Sequence, residues 1–541
     1  MVQHALDLLE SINNHGRGSD PVNAKIKQAA TTEQSIPELP MAADAESKTA
    51  TVVEVSAEDN YYRTTAHGDW FHDGTAVIIT TAKGKGLVAT KDLPAGTLIM
   101  TNKAIGIVDV TEENNVTGET DEGITAHSNL ELVQQLVTRV ANSRGSDKAL
   151  SWPSWDVLKC MYPATQTEKE LLPSLPGVWK LTATALAAAT QNRLSVEDIV
   201  HIMYVVRYNS HMIDSSTSPT NKAHGLFHAV SLLNHSCWPN CIHSAKGDIM
   251  SVRLLQDVAA GTELCDSYIN IYQGVAIRGE ILWKDYGFQC RCERCEIGTS
   301  LTGKKETNVD TTAKGSGFSS LPTPVPTSLL LEPRVHRADN LSRFFRDSEM
   351  IIEGYVCPAC KQTLLYPVIE FHTTEFKSFS ICRKCGHSAT AAELERQLSK
   401  LHVMYDRAAE LLHSGQFHKA AKVLDSLFQL SSTSIAPQHA FLTGVHTARA
   451  TAALMMTDYA TAIRHAETAC INSQFFLPTH HPLLISLYLA LARCLRASGK
   501  PECKAKDRRL VRMAALAHSV CFGDDQSFSA LHGEPEVGKR H

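Results

Sequence analysis

Residues 234–241, NHSCWPNC, bring an amide, an imidazole, two thiols and an indole into one short stretch. Three more thiols follow at Cys290, Cys292 and Cys295, and two Cys-x2-Cys pairs stand at Cys357/Cys360 and Cys382/Cys385. Each Cys-x2-Cys knuckle lets two thiolates converge on one tetrahedral ion. The two pairs are separated by strand-like runs, LLYPVIEF and EFKSFSI, and Gly386 follows the last cysteine where a knuckle turn needs a left-handed residue. This spacing predicts a zinc ribbon. The triplet Cys290, Cys292 and Cys295 supplies only three ligands, whereas a closed structural zinc site needs four. Cys237, Cys241 and Cys265 are the candidates for the fourth, and periodicity does not choose among them. The imidazole of His235 beside the Cys237 thiol also raises the possibility of a nucleophile with its base.

Composition bounds these options. The chain has 541 residues, 43% hydrophobic and 20% charged, enough for two to four domains with ordinary cores. A net charge of −5 gives no global attraction to phosphates, so direct nucleic-acid binding is not expected. No run of about 18 apolar residues occurs, so no membrane span is expected, and the acid-containing start MVQHALDLLESINN lacks the pattern of a secretory signal. These features predict an intracellular, reducing compartment, nucleus or cytoplasm. In that setting the fifteen cysteines read as metal ligands and buried thiols, not a disulfide framework.

The elements that must position these groups are legible in outline. Residues 1–70, rich in Ala, Ser, Thr and charge, predict a poorly ordered segment. From residue 75, the runs Ala76–Thr81 and Leu87–Thr90 flank Gly84 and Gly86, and a turn at LPAG precedes the next apolar run, which predicts a β-meander. Helical spacing marks 129–143, 181–192 and 195–209, the last with Ser195 as N-cap, so a helical insertion at about 110–207 interrupts the sheet. Strand patterns resume at 249–258 and 262–269, and a helix at 272–286 runs into GFQCRCERC. Residues 297–345, dominated by Ser, Thr, Gly, Lys and Pro over most of their length, predict a flexible linker. The zinc ribbon spans 351–390, a helical domain 391–525 and a tail 526–541.

The stretches KGKGLVATKDLPAGTLI, YNSH, SLLNHSCWPNC, GTELCDSYIN and YGFQCRCERC resemble, in order and style, the SET-domain protein lysine methyltransferases, most of all the SET-and-MYND (SMYD) group. The resemblance covers residues 76–296 discontinuously. It implies a β-rich SET fold over 71–296, with Cys237 as fourth ligand of a post-SET zinc site at 286–296 and Cys241 as an inert buried thiol. It also implies S-adenosylmethionine as cofactor, contacted by the turn Lys83, Gly84, Lys85 and Gly86 and by Asn209, Asn234, His235 and Phe288. Tyr268 matches the active-site tyrosine, which also borders the cofactor, and Tyr286 a residue lining the channel for the target lysine. Taken alone, KGKG reads as an exposed hairpin turn and His235 as a satisfied core histidine.

Three departures stand out. Cys160 is the only cysteine between residues 100 and 200, which implies that the MYND zinc module is absent. His211 occupies the position of an aromatic that helps form the family's lysine channel. Trp238 replaces a small or acidic residue and is expected to pack near the zinc lobe or rim the substrate cleft.

In the C-terminal region Gly415, Thr457 and Gly499 recur at equal spacing, each after a helical run, which resembles tetratricopeptide hairpins of lengthened repeat. The third copy departs most, with Pro501 where Phe417 and Tyr459 stand; Ala420 and Ala462 are expected to be tight helix contacts. The chain is thus expected to be a multidomain α+β protein: a SET fold with helical insertion, a post-SET zinc site, a zinc ribbon and a tetratricopeptide-like domain, holding about two zinc ions. The expected activity is S-adenosylmethionine-dependent methylation of histone or non-histone lysines, with protein partners at the helical repeat. The rival class is a non-catalytic interaction scaffold, which His211 favours.

Overall fold

In the computed structural model of the chain, the described residues are 69–80, 83–110, 121–143, 155–163, 177–214, 222–302, 341–368, 378–379, 381–382, 384–523 and 528. The predicted N-terminal segment lies outside them up to residue 68. Order begins earlier than the pattern suggests, however, because β1 (Trp70–Phe71) pairs with β4 (Leu98–Lys103), Trp70 lying opposite Thr101.

The predicted meander is not what forms. β2 (Thr75–Thr80) and β3 (Gly84–Ala89) make an antiparallel hairpin, but β4 leaves it for a different sheet. β5 (Gly106–Asp109) joins a third sheet, and the helical insertion follows as α1 (Asp121–Ser143), α2 (Trp155–Cys160), α3 (Gly177–Ala189) and α4 (Val196–Asn209). Ser195 caps α4 through a reciprocal box: its hydroxyl accepts from Asp198 N at 3.0 Å, and Asp198 Oδ2 accepts from Ser195 N. After β6 (Ser210–Asp214) and β7 (Lys222–Leu226) come β8 (Asn234–His235), β9 (Cys241–Lys246), β10 (Ile249–Leu254) and β11 (Glu263–Asp266).

The sheets run β1-β4-β10-β9, β2-β3-β11-β8 and β5-β7-β6. The free edge of β3 is taken by β11, with Leu264 opposite Leu87, which is why β4 cannot pair there. β11 also pairs in parallel with β8, Asp266 opposite His235. Burial of Leu87, Ile99, Met100, Phe227, Met250, Val252 and Leu264 joins these layers into one core.

α5 (Val275–Tyr286), α6 (Glu293–Thr302) and α7 (Leu341–Ile352) follow. Both ends of the predicted 297–345 linker are therefore helical: 297–302 continue α6, and 341–345 open α7, whose Phe345 is fully buried. The compositional signal for a linker came from the middle of the segment, which lies outside the described residues. β12 (Tyr355–Val356), β13 (Leu364–Leu365), β14 (Pro367–Val368) and β15 (Ser378–Phe379) form two short hairpins around the four ribbon cysteines.

Beyond them α8 (Ala391–His413), α9 (Phe417–Ser431), α10 (Ala440–Met455), α11 (Tyr459–Gln474), α12 (Pro482–Ala497) and α13 (Lys504–Phe522) each pack on the next. Gly415, Thr457 and Gly499 all adopt positive φ, so the repeat seen in the sequence is one of helix-ending turns. Pro501 opens a short 3-10 turn before α13, which explains the third copy's departure. Ala420 and Ala462 are buried. Of the predicted tail only Phe528 is described, and it is buried against His518 at 5.3 Å between ring centroids. α13 packs on β9 and β10, and His480 Nδ1 meets Leu255 O at 3.0 Å, so the helical region is seated on the β1-β4-β10-β9 sheet. Among the described residues no helix is long and apolar enough to cross a membrane.

Candidate active site and metal centres

The pocket wall is built where β3, β8 and β11 meet. Gly84, Lys85 and Gly86 are not a turn, as the sequence suggested, but the first residues of β3, paired with Thr80, Ile79 and Ile78; of the four, Lys83 alone lies in the hairpin turn. Gly86 is required by close approach: a Cβ there would stand 2.9 Å from Asn234 Nδ2. Asn234 Nδ2 donates to Lys85 O (3.1 Å) and to Glu263 Oε1 (2.9 Å), and Lys83 Nζ reaches Glu263 Oε2 at 2.6 Å. Burial pulls the Lys83 ammonium down, but Glu263 outweighs it and leaves the pKa raised. Glu263, which sequence reasoning missed, thus ties the KGKG strand to the Asn-His pair. Its only signal was an acid at the head of a strand pattern.

His235 is buried and engaged at both ring nitrogens: Nδ1 accepts from Tyr268 N at 3.0 Å, and Nε2 lies 3.2 Å from Cys237 Sγ. The thiol and imidazole do touch, as a nucleophile and base would. Cys237, however, is fully buried and shared with three other sulfurs, so neither group is open to a substrate.

Tyr268 is the hub of an aromatic group. Its ring centroid lies 5.2 Å from Tyr286, 5.3 Å from His235 and 6.3 Å from Phe288. Its hydroxyl donates to Leu233 O at 2.6 Å, and Tyr286 donates to Tyr268 O at 3.2 Å. Burial first, then the nearby Asp266 carboxylate, push the Tyr268 phenol far above its ordinary pKa, so it stays a neutral donor. Gly287, left-handed at φ 71°, ends α5 and turns the chain so that Tyr286 and Phe288 both meet Tyr268.

Asn209 and His211 come from the end of α4 and the start of β6. Asn209 ends α4, and its amide nitrogen donates to Tyr162 O (2.7 Å) and Val205 O (2.9 Å). His211, on β6, packs its ring against His243 at 4.9 Å and Phe227 at 6.1 Å.

The cysteines form two tetrads. Cys237, Cys290, Cys292 and Cys295 bring their sulfurs within 4.8 Å of one another, and so do Cys357, Cys360, Cys382 and Cys385. A tetrahedral zinc with Zn–S near 2.3 Å requires sulfurs about 3.8 Å apart. The pairs Cys357–Cys385 at 3.8 Å, Cys360–Cys382 at 3.6 Å and Cys237–Cys295 at 3.4 Å fit that ion. Both clusters can therefore hold zinc. Cys241 lies outside them; burial pushes its thiol well up and leaves it inert. Cys265, the third candidate, also lies outside. The knuckle turns are left-handed at Lys361 (φ 57°) and Gly386 (φ 71°).

Behind the first tetrad lies a charge network with no sequence signature. Arg278 and Arg294, both fully buried, share Glu349 Oε1 of α7 at 3.0 and 2.6 Å. Arg294 Nη1 also donates to Cys237 O (3.0 Å) and Ile271 O (3.1 Å), and Arg278 Nη2 to Cys295 Sγ (3.7 Å). Two arginines sharing one carboxylate leave a net positive charge that offsets part of the excess negative charge of a zinc–cysteine tetrad. Trp238 packs edge-on against Phe344 and Phe345 of the same helix, at 5.5 and 5.2 Å, which places it at the zinc lobe.

The SET domain family model matches residues 84–269, the span that carries these strands and the hub tyrosine. The chain is 40% identical to N-lysine methyltransferase SMYD2-B of Xenopus laevis over 81 residues, 15% of this chain and 19% of that one. It is 31% identical to histone-lysine N-methyltransferase SET5 of Vanderwaltozyma polyspora over 150 residues, 27% of this chain and 28% of that one. The chain thus spans less than a third of the length of either relative. A solved structure of Rubisco LSMT bound to AdoMet aligns over 74% of this chain and 89% of that one, at 11% identity and a TM-score of 0.24.

Proposed function

We propose that this chain is a protein-lysine N-methyltransferase that uses S-adenosylmethionine and acts on histone or non-histone lysines. The reading rests on one observation: Gly86, Asn234, His235, Tyr268, Tyr286 and Phe288 converge from four separate segments on one wall, locked beneath by the Cys237 tetrad. The cofactor, when bound, supplies an electrophilic methyl on a sulfonium. The bare backbone at Gly84–Gly86 and the Phe288 ring suit its close approach, with Asn234 and Asn209 offering amide oxygens.

The rest is alignment. Tyr268 and Tyr286 line a channel that excludes water, disfavours the ammonium form of the target lysine and lets the neutral amine attack in line. The four tetrad cysteines hold the lobe carrying Tyr286 and Phe288 against the pocket. In this reading residues 71–296 are the catalytic unit, 351–390 a zinc ribbon, and 391–525 a helical domain that restricts which proteins enter and offers a partner surface. The fifteen free cysteines, two tetrads among them, support a nuclear or cytoplasmic setting.

A test is transfer of tritiated methyl from S-adenosylmethionine to core histones and to proteins of a cell extract, beside calorimetric cofactor binding. Transfer is the expected result, with Tyr268→Phe lowering kcat by about 10²-fold while the chain stays folded. Cofactor binding without transfer would favour the scaffold reading that His211 suggests; loss of both would defeat the enzyme.

A further inference from the structure

One cluster beside the pocket is not used by that account. His243 on β9 binds the Asp266 carboxylate through Nδ1, and the His211 ring stands edge-on to His243. Asp266 lies two residues before Tyr268, its charge is felt at the Tyr268 phenol, and Oδ1 accepts from Ser267 N at 2.7 Å. The carboxylate is buried at 6% side-chain exposure, while the His243 side chain keeps 28%. Three strands therefore converge to place an imidazole on a buried carboxylate whose charge reaches the hub tyrosine.

A metal is not what this cluster serves. Among the described residues only the two cysteine tetrads bring three or more ligating groups close enough to hold an ion. The arrangement matches a base oriented by an acid: Nδ1–H donates to Asp266, so Nε2 carries the lone pair.

Resting on the lysine-methyltransferase reading, we propose that His243, oriented by Asp266, takes up the proton that the target lysine ammonium must release before it can accept a methyl group. The N–H bond of the ammonium breaks, an N–H bond forms at His243 Nε2 directly or through one water, and the positive charge moves from lysine to imidazolium. The freed lone pair attacks the methyl, and the exposed edge of His243 returns the proton to solvent.

The surroundings suit this role. Burial pulls His243 down, but the Asp266 charge and hydrogen bond outweigh it and leave its pKa raised. Burial and the neighbouring His243 hold His211 down at about 3, against a weaker upward pull from Asp266. A neutral His211 puts no competing charge beside the imidazolium. The other groups facing Asp266 are His481, at the N-cap of α12, and the thiols of Cys241 and Cys265. Burial keeps His481 at about 4 and both thiols raised, so none carries charge near neutrality.

The experiment is the pH dependence of methyl transfer to core histones, or to extract protein, by the full chain. Alongside it, the His243 imidazole is titrated by NMR with ring-labelled histidine and assigned by difference from His243→Gln. The wild type should show an acid limb in kcat/KM at the pKa of His243. Asp266→Asn, which keeps the Ser267 hydrogen bond, should move both the limb and the NMR titration to lower pH by about one unit or more. His243→Gln should lower kcat by about 10²–10⁴-fold, and added imidazole should restore part of the activity of His243→Gly. An unmoved limb with no imidazole rescue, while the wild type transfers methyl, would overturn this proposal and leave the methyltransferase reading standing. No transfer by a wild type whose His243 still titrates high would instead defeat that reading, and this proposal with it.

Discussion

The two cysteine tetrads share ligands and geometry but differ in what surrounds them. In the ribbon, Cys357, Cys360, Cys382 and Cys385 come from two adjoining hairpins, and Cys385 is exposed. In the post-SET tetrad, Cys237 follows directly on β8 while its three partners precede and open α6, and two buried arginines and Glu349 of α7 brace the site. The first closes within one short span of chain, its core continuous with that of α8, α9 and α10; the second is a joint between segments far apart in sequence. Only at the joint does metal loss reach the pocket, because Cys237 is one residue from Ser236 and two from His235.

The sharpest test sets one substitution in each cluster side by side. Cys237→Ser should lower zinc content from about two ions to one and abolish cofactor binding in calorimetry. Cys385→Ser should remove the other ion yet leave cofactor affinity within about twofold, since distant sites act independently. Equal loss of cofactor binding in both would break the contrast. Glu349→Ala comes next: it removes the carboxylate that the buried Arg278 and Arg294 share and should destabilise by about 3–5 kcal/mol in denaturant unfolding.

Glu353 gives the smallest effect. Burial foremost, with Glu349 adding repulsion, pushes its carboxyl up to about 8. The folded chain therefore holds a proton that the unfolded chain releases above its ordinary value, so stability is full at low pH and declines as pH rises toward 8. Glu353→Gln should remove about 1–2 kcal/mol of that decline between pH 6 and 8, read from melting curves.

Much of this joint was legible in advance. The ribbon could be read from spacing alone, because both knuckles are local. The fourth ligand of the joint was not, since Cys237, Cys241 and Cys265 differ only in tertiary placement; the family resemblance chose Cys237, and the fold brings it to the triplet. Ser195 and the turns at Gly415 and Gly499 were readable because caps and left-handed turns are decided within a few residues. The order of β4 and β11 was not, because edge pairing depends on strands far apart in sequence. Arg278, Arg294, Glu349, Asp266 and His243 were missed for the same reason: a buried charge looks like a surface charge until its partner is known.

Cys237 and Cys295 lie 58 residues apart, so the joint also has a place in the order of synthesis. At common elongation rates Cys237 emerges about 3–12 s before the last of its partners. During that interval the Asn-His pair exists without its clamp, whereas each ribbon knuckle is complete almost as soon as it is made. The ribbon's four ligands, 28 residues from first to last, are complete in about half that interval; the pocket has to wait for the end of its own domain.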